Sequence, residues 1–163
     1  MSKTQNNIVI REATAEDLPV IFSFIKEIAE YEKLPHQVAA NEEVLKESLF
    51  GKRRYAEVLI AENNGEPAGH AVYFHNFSTF IGRPGIYLED LYVRPQFRSK
   101  GIGKALLISL IKIAKERNCG RLEWAVLDWN EPAISFYKKM GAIPMDEWTV
   151  FRLTEDKIKG FDI

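Results

Sequence analysis

The sequence predicts a mixed α/β fold in a single domain that covers residues 1–163. Segments with the apolar, β-branched character of strands are interleaved with segments whose apolar residues recur at helical spacing, in the order β-α-α-β-β-β-α-β-α-β-β. The chain is also 46% hydrophobic, which is enough to build one full core. No repeat, low-complexity segment or linker divides it, so one domain is expected.

The first third of the chain contains one predicted strand and two predicted helices. Residues 8–11 form a short apolar strand. Thr14 marks the start of a helix whose apolar positions recur at helical spacing to about Tyr31. Asn41 is a favourable N-cap for the second helix, which ends at Gly51.

Three strands follow. Residues 56–61 and 68–74 have strand character, and the intervening N-N-G-E-P sequence is typical of a hairpin turn. Residues 77–85 contain two glycines and a proline and are predicted to form a loop. Residues 86–93, I-Y-L-E-D-L-Y-V, are the third strand.

This third strand carries two acidic residues, Glu89 and Asp90, in an otherwise apolar segment. Burying ionised carboxylates is costly unless a ligand or partner uses them, so the pair predicts a cleft. Consecutive side chains of a regular strand point to opposite faces, so only one carboxylate faces the cleft unless a bulge intervenes.

A basic turn with two glycines, R-S-K-G-I-G at residues 98–103, follows the acidic strand and precedes an amphipathic helix predicted over residues 102–118. Glycines at a helix start let backbone N–H groups approach a ligand, and the helix dipole favours an anion. Arg94 and Lys104 add positive charge. The turn matches neither the P-loop nor the dinucleotide-binding pattern. It predicts a phosphate or pyrophosphate site.

The remainder of the chain is predicted to continue the alternation of strands and helices. Gly120 fits the C-cap of the preceding helix, and Asn130 is a good N-cap for the next one, which runs to about Met140. Strands are predicted at residues 122–127, 142–145 and 148–153, and a short terminal helix at residues 154–159.

Charge and composition narrow the class of partner. The formal net charge of −1 gives no basic excess for nucleic acid, which favours a small-molecule partner. The single cysteine, Cys119, excludes an internal disulfide and fits a reducing compartment. The sequence contains no run of 18 apolar residues, so no membrane span is indicated and a cytoplasmic protein is expected. The three histidines lack metal-ligand spacing, so no metal is expected.

Five segments also stand in a recognisable order: I-A-E-Y-E-K-L at residues 28–34, Y-L-E-D-L-Y-V at 87–93, R-x-x-G-x-G at 98–103, A-V-L-D-W-N at 125–130 and F-Y-K-K-M-G-A at 136–142. Together they resemble the GCN5-related N-acetyltransferase (GNAT) superfamily, and within it the diamine and thialysine acetyltransferases, which are similar to spermidine/spermine acetyltransferase. The resemblance implies a central, mostly antiparallel mixed sheet flanked by helices, and a homodimer.

The resemblance further implies transfer of an acetyl group from acetyl-CoA to a primary amine of a polyamine, a diamine or a lysine-like thialysine, by direct attack. It gives Tyr137 the role of general acid toward the sulfur, and Glu89 that of the carboxylate that removes a proton through water or binds the ammonium. A tyrosine phenol, with a pKa near ~10, can protonate a thiolate whose thiol has a pKa near ~8.5. Tyr137 lies seven residues after Asn130, about two helical turns, so both face the same side.

The expected site residues fall into two sets. Those placed beside the coenzyme are Leu91, Tyr92, Val93, Arg98, Ser99, Lys100, Gly101, Ile102, Gly103, Lys104, Asn130, Glu131, Pro132, Ala133 and Tyr137. Those placed at the amine are Tyr31, Glu32, Glu89, Glu123, Trp124, Ala125 and Glu147, the last although the spacing between Tyr137 and Trp148 is variable.

Three alternatives stay open at this point. The same fold could acetylate a protein N-terminus or lysine, or the chain could be a sensor that binds acyl-CoA without chemistry. Asp90 is either a second functional acid or a paired structural one.

Overall fold

The structure is a computed structural model that describes residues 7–162. The chain divides into two compact units, of which the first ends at Ala125 and the second begins at Val126.

Within residues 7–125, the first unit is a five-stranded sheet with three α-helices. The sheet order is β1-β2-β3-β4-β5, in which β1 to β4 are antiparallel to their neighbours and β5 is parallel to β4. This confirms the prediction of a mixed, mostly antiparallel sheet. The elements are β1 Ile8–Glu12, α1 Leu18–Tyr31, α2 Glu42–Phe50, β2 Glu57–Asn63, β3 Glu66–Ser78, β4 Arg83–Val93, α3 Ile102–Glu116 and β5 Leu122–Trp124.

Apolar side chains of the helices pack on the sheet. Ile21 and Phe24 of α1 and Leu49 of α2 form one buried cluster with alternate residues of the strands, such as Ile60 and Val72. Strand residues of opposite parity are buried as well, as alternation across a pleated sheet requires. Helix α3 lies against β3 and β4 and buries its own apolar positions, namely Ile102, Leu106, Leu107 and Leu110.

Local sequence explains two of the boundaries. Asn64 and Gly65, between β2 and β3, both have positive φ values of 53° and 81°, as the tightest hairpin turns require. Asn41 accepts a hydrogen bond at its side-chain oxygen from the N–H of Val44 at 2.9 Å, so the predicted N-cap of α2 is confirmed.

Other boundaries differ from the prediction. The hairpin of β3 and β4 extends into the predicted loop, which shrinks to residues 79–82. Helix α3 is followed by Asn118, which takes the left-handed conformation (φ 53°) expected of Gly120. A Cβ on Gly120 would lie 2.8 Å from Cγ2 of Ile81, so close packing explains this glycine better than helix capping.

The second unit contains α4 Glu131–Lys139 and α5 Glu155–Lys159. The prediction of strands at 142–145 and 148–153 was wrong, because the structure describes this stretch without strand. Val150 and Phe151 are 88% and 92% exposed. A strand forms only where another strand supplies backbone partners, and neither residue has one in the described unit.

None of the helices within residues 7–162 combines the length and the apolar character needed to cross a bilayer.

Candidate active site

Strand β4 contains a β-bulge at Glu89. Val72 of β3 lies opposite Asp90, and the next residue, Tyr73, lies opposite Leu88, so Glu89 is the extra residue on β4. Glu89 is exposed, whereas Leu88 is 2% exposed. The bulge interrupts the strict alternation of side chains at the two acidic residues. The sequence alone left open whether such a bulge is present.

Three carboxylates form an acidic cluster, defined here as Glu32, Glu89 and Asp90. Burial raises the pKa of Asp90 to about 6, and repulsion from Glu89 and Glu32 adds to this effect. Burial also raises the pKa of Glu32, which caps the C-terminal end of α1. The end of α1 and the bulge of β4 therefore share a region of negative potential that suits a cationic ligand.

Asp90 was not among the predicted site residues. A pKa shifted strongly by burial and by like charges is typical of functional carboxylates. The acidic pair inside an apolar strand was the sequence signal that could have identified Asp90. The effect of Glu32 on the pKa of Asp90 could not be predicted, because it depends on proximity in the folded chain.

One edge of β4 lacks a strand partner beyond the bulge. The ladder of β4 with β5 ends at the pair Leu88 and Trp124, while β4 continues to Val93. Among the strands described, residues 90–93 pair only with β3. Their other edge can receive an extended chain by backbone hydrogen bonding, as the prediction for Leu91, Tyr92 and Val93 requires. The ring of Tyr92 is buried in the core.

The glycine turn leads from the end of β4 into α3. Ser99 and Gly101 adopt left-handed conformations with φ values of 61° and 84°. Gly101 is the N-cap of α3 and supplies no side-chain cap, so the first N–H groups of the helix keep their capacity to bind an anion. A Cβ at Gly103 would lie 3.8 Å from Cγ2 of Val93, so the turn and the end of β4 are neighbours.

The positive charge of this turn comes from fewer residues than the sequence indicated. Arg94 forms a salt bridge with Glu27 at 2.8 Å and also donates to the hydroxyl of Ser23. Arg94 therefore joins α1 to the sheet. Because its charge is paired with that of Glu27, the prediction that Arg94 adds positive charge to the glycine turn was wrong. Exposed cationic side chains remain at Arg98, Lys100 and Lys104.

Strand β5 brings two further predicted residues beside β4. Glu123 pairs with Tyr87, and Trp124 pairs with Leu88. The Glu123 carboxylate forms a salt bridge with Arg121 at 2.7 Å and accepts a hydrogen bond from Asn76 at 3.0 Å. Its charge is largely compensated, unlike that of the acidic cluster. Ala125, the last residue of the first unit, is exposed.

In the second unit, α4 carries the remaining coenzyme candidates. Asn130 is the N-cap and accepts from the N–H of Ala133 at 3.4 Å, with Glu131 and Pro132 in the first turn. Tyr137 lies two turns further along α4 and is partly buried. Glu147 is exposed and lies in the segment without regular structure that follows α4.

Within residues 7–162, the histidines do not form a metal-binding cluster with other side chains. His70 is fully buried, neither ring nitrogen has a hydrogen-bond partner among the described residues, and burial lowers its pKa to about 3. Within residues 7–162, no three His, Cys, Asp or Glu side chains are arranged to hold a metal ion.

Comparison with known proteins relates this arrangement to one family. The profile of the Acetyltransferase (GNAT) family matches residues 21–142. The chain is 39% identical to the thialysine N-epsilon-acetyltransferase of Bos taurus, over 93% of this chain and 95% of that protein. It is 31% identical to the L-ornithine N5-acetyltransferase of Arabidopsis thaliana, over 94% and 87%. Among solved structures, an integron cassette protein from the mobile metagenome of V. cholerae superposes with a TM-score of 0.77 at 28% identity, covering 93% of this chain and 95% of that one.

Proposed function

The chain belongs to the acetyltransferase (GNAT) family and is therefore an acetyltransferase, and we propose that it transfers the acetyl group of acetyl-CoA to a primary amine of a small cationic molecule. The acceptor is a lysine-like amino acid, a diamine or a polyamine. The single observation that carries this proposal is the acidic cluster of Glu32, Glu89 and Asp90 beside the unpartnered edge of β4. The relatives named above acetylate thialysine and ornithine, according to their names, and both acceptors are cationic amino acids.

Acetyl-CoA binds along β4 and the glycine turn in this proposal. The backbone of Leu91 to Val93 pairs with the pantetheine arm, as an added strand does. The first N–H groups of α3 and the positive charges of Arg98, Lys100 and Lys104 hold the diphosphate. Residues 130–133, at the start of α4, are the further coenzyme-binding residues of this proposal. No metal is required.

The amine site follows from charge. Glu32 and Asp90 bind the cationic parts of the acceptor, and Tyr31, Trp124 and Ala125 are the further recognition residues of this proposal. Glu123 contributes less, because Arg121 already neutralises it. Glu147 completes this proposed set.

The reaction is a direct transfer. A lysine-like amine has a pKa near ~10.4, so its neutral form costs about 4.6 kcal/mol at pH 7, and Glu89 accepts the proton directly or through water. The amine nitrogen then bonds to the thioester carbonyl carbon, and the carbon–sulfur bond breaks as the intermediate collapses. Tyr137 gives its phenolic proton to the departing thiolate of CoA, and the second proton that the nitrogen loses as the amide forms returns to this phenolate.

We further propose that the whole chain acts as one catalytic domain in a cytoplasmic homodimer. The family profile runs across both compact units, which supports the first part. The second unit exposes large apolar side chains, including Trp148 at 73% and Phe151 at 92%, and such surface is typical of a protein interface.

The test is a screen for CoA thiol release. Purified protein is incubated with acetyl-CoA and, in turn, with thialysine, ornithine, spermidine, short diamines and peptides with a free N-terminus or lysine. Thiol release that needs one of the small amines supports the proposal. Release with peptides alone would instead indicate a protein acetyltransferase, and tight CoA binding without turnover on any amine would indicate a sensor.

A further inference from the structure

Arg98 contacts both sides of the proposed site. Its Nε donates to the backbone carbonyl of Val93 at 2.9 Å, at the end of the unpartnered edge of β4. Its guanidinium carbon lies 4.9 Å from the ring centroid of Tyr31 and 5.8 Å from that of Tyr92. A side chain of the glycine turn therefore stacks on the last residue of α1.

The guanidinium retains capacity for an anion in this position. Within the part of the chain that the structure describes, no carboxylate forms an ion pair with Arg98, in contrast to Arg94 with Glu27. One of its five N–H donors serves Val93, and the four on the two terminal nitrogens suit a phosphate.

The end of α1 is the element that this contact positions. Tyr31 is 38% exposed and is followed by Glu32, a member of the acidic cluster, and by Lys33 in a left-handed conformation (φ 63°). A shift of Tyr31 moves Glu32 with it, because the two residues are consecutive at the helix end. Arg98 is thus joined through one aromatic ring to a carboxylate of the amine site.

We propose that Arg98 is a positioning residue that couples the two substrates: a coenzyme diphosphate bound to its guanidinium fixes it against Tyr31 and so orders the end of α1 for the amine. This inference rests on the proposed function. Exposed cation–π contacts contribute enough to change affinity roughly two- to fivefold. The amine should therefore bind that much more tightly when CoA is present, and CoA more tightly by the same factor when the amine is present, because coupling is reciprocal.

The experiment measures coupling without turnover. Calorimetry gives the Kd of CoA, which has no acetyl group to transfer, in the absence and presence of saturating thialysine. We expect a two- to fivefold tightening for the unmodified protein and for Tyr31→Phe, which keeps the ring. Tyr31→Leu removes the ring but not the charge of Arg98, so the ratio should fall to about one while the Kd of CoA alone stays within twofold.

A matched control is available in the same chain. Arg53 lies 5.2 Å from the ring of Tyr55, which is exposed and outside the site, so Tyr55→Leu removes an equivalent pair and should leave the coupling unchanged. A ratio of one in the unmodified protein, or full coupling in folded Tyr31→Leu, would overturn the inference. Failure of the proposed function would be distinct, because it would show as no acetyl transfer to any small amine.

Discussion

Replacing Asp90 with asparagine should stabilise the fold above pH 6. Burial and repulsion from Glu89 and Glu32 raise the pKa of this carboxyl from its ordinary value of 3.8 to about 6. A raised carboxyl pKa means that the folded state holds the proton more tightly than the unfolded state. The ionised carboxylate therefore destabilises the fold, with an effect that is absent below about pH 4, grows between pH 4 and 6, and is complete above.

The size of the effect follows from the pKa. A displacement from 3.8 to about 6 corresponds to about 3 kcal/mol, and residual solvent contact of the side chain reduces the expectation to roughly 1–3 kcal/mol. Asp90→Asn removes the charge at nearly constant volume. We expect its free energy of unfolding to exceed that of the unmodified protein by this amount at pH 7.5 and to match it near pH 4.

Urea denaturation of both proteins at the two pH values measures this difference, and comparison within each pH cancels the titration of groups outside the acidic cluster. Asp146→Asn, at an exposed position outside the acidic cluster, is the matched control and should leave the free energy of unfolding unchanged at both pH values. The same Asp90→Asn substitution should raise KM for the amine about tenfold, because it removes a charged partner of the acceptor. A variant that is less stable at pH 7.5, or a difference that does not depend on pH, would refute the reasoning.

Three other substitutions test single contacts by denaturation or calorimetry. His70→Leu should raise the free energy of unfolding by about 1–2 kcal/mol at pH 7, since neither buried ring nitrogen has a hydrogen-bond partner within residues 7–162. The gain should be larger at pH 5, where the imidazole is protonated in the unfolded chain but not in the folded one, and a loss of stability at both pH values would contradict this. Gly101→Ala should cost about 1–2 kcal/mol of stability and weaken CoA binding, because φ is 84° at this position. Ser99→Gly, at φ 61°, should not lower the free energy of unfolding, and equal effects of the two substitutions would argue against a conformational cause. Asn41→Ala should cost about 1 kcal/mol through the lost cap of α2, and a neutral result would show that solvent replaces it.

Local sequence signals predicted the elements whose formation depends on neighbouring residues. The caps and turns at Asn41 and at Asn64-Gly65 act within four residues, and the structure confirms both. The acidic pair in β4 likewise indicated a site, because two carboxylates in an apolar strand conflict with their surroundings.

The features that the sequence did not predict depend on distant residues. The bulge at Glu89 exists only in the register between β3 and β4. Arg94 is paired with Glu27, which is 67 positions away in the chain, so its charge does not add to that of the glycine turn. Strands at 142–145 and 148–153 were predicted from apolar character, but strand formation needs a pairing partner that local pattern does not supply.

The most direct measurement of the proposed chemistry is the steady-state rate of CoA thiol release by Tyr137→Phe, with the Kd of CoA determined on the same preparation. Removing a general acid should lower kcat by about 10²- to 10⁴-fold, while the Kd of CoA stays within about threefold, because the ring remains. Tyr55→Phe, at a position 63% exposed, serves as the control and should retain full activity. A Tyr137→Phe enzyme with an unchanged kcat would contradict the assignment of this phenol as the proton donor to the thiolate.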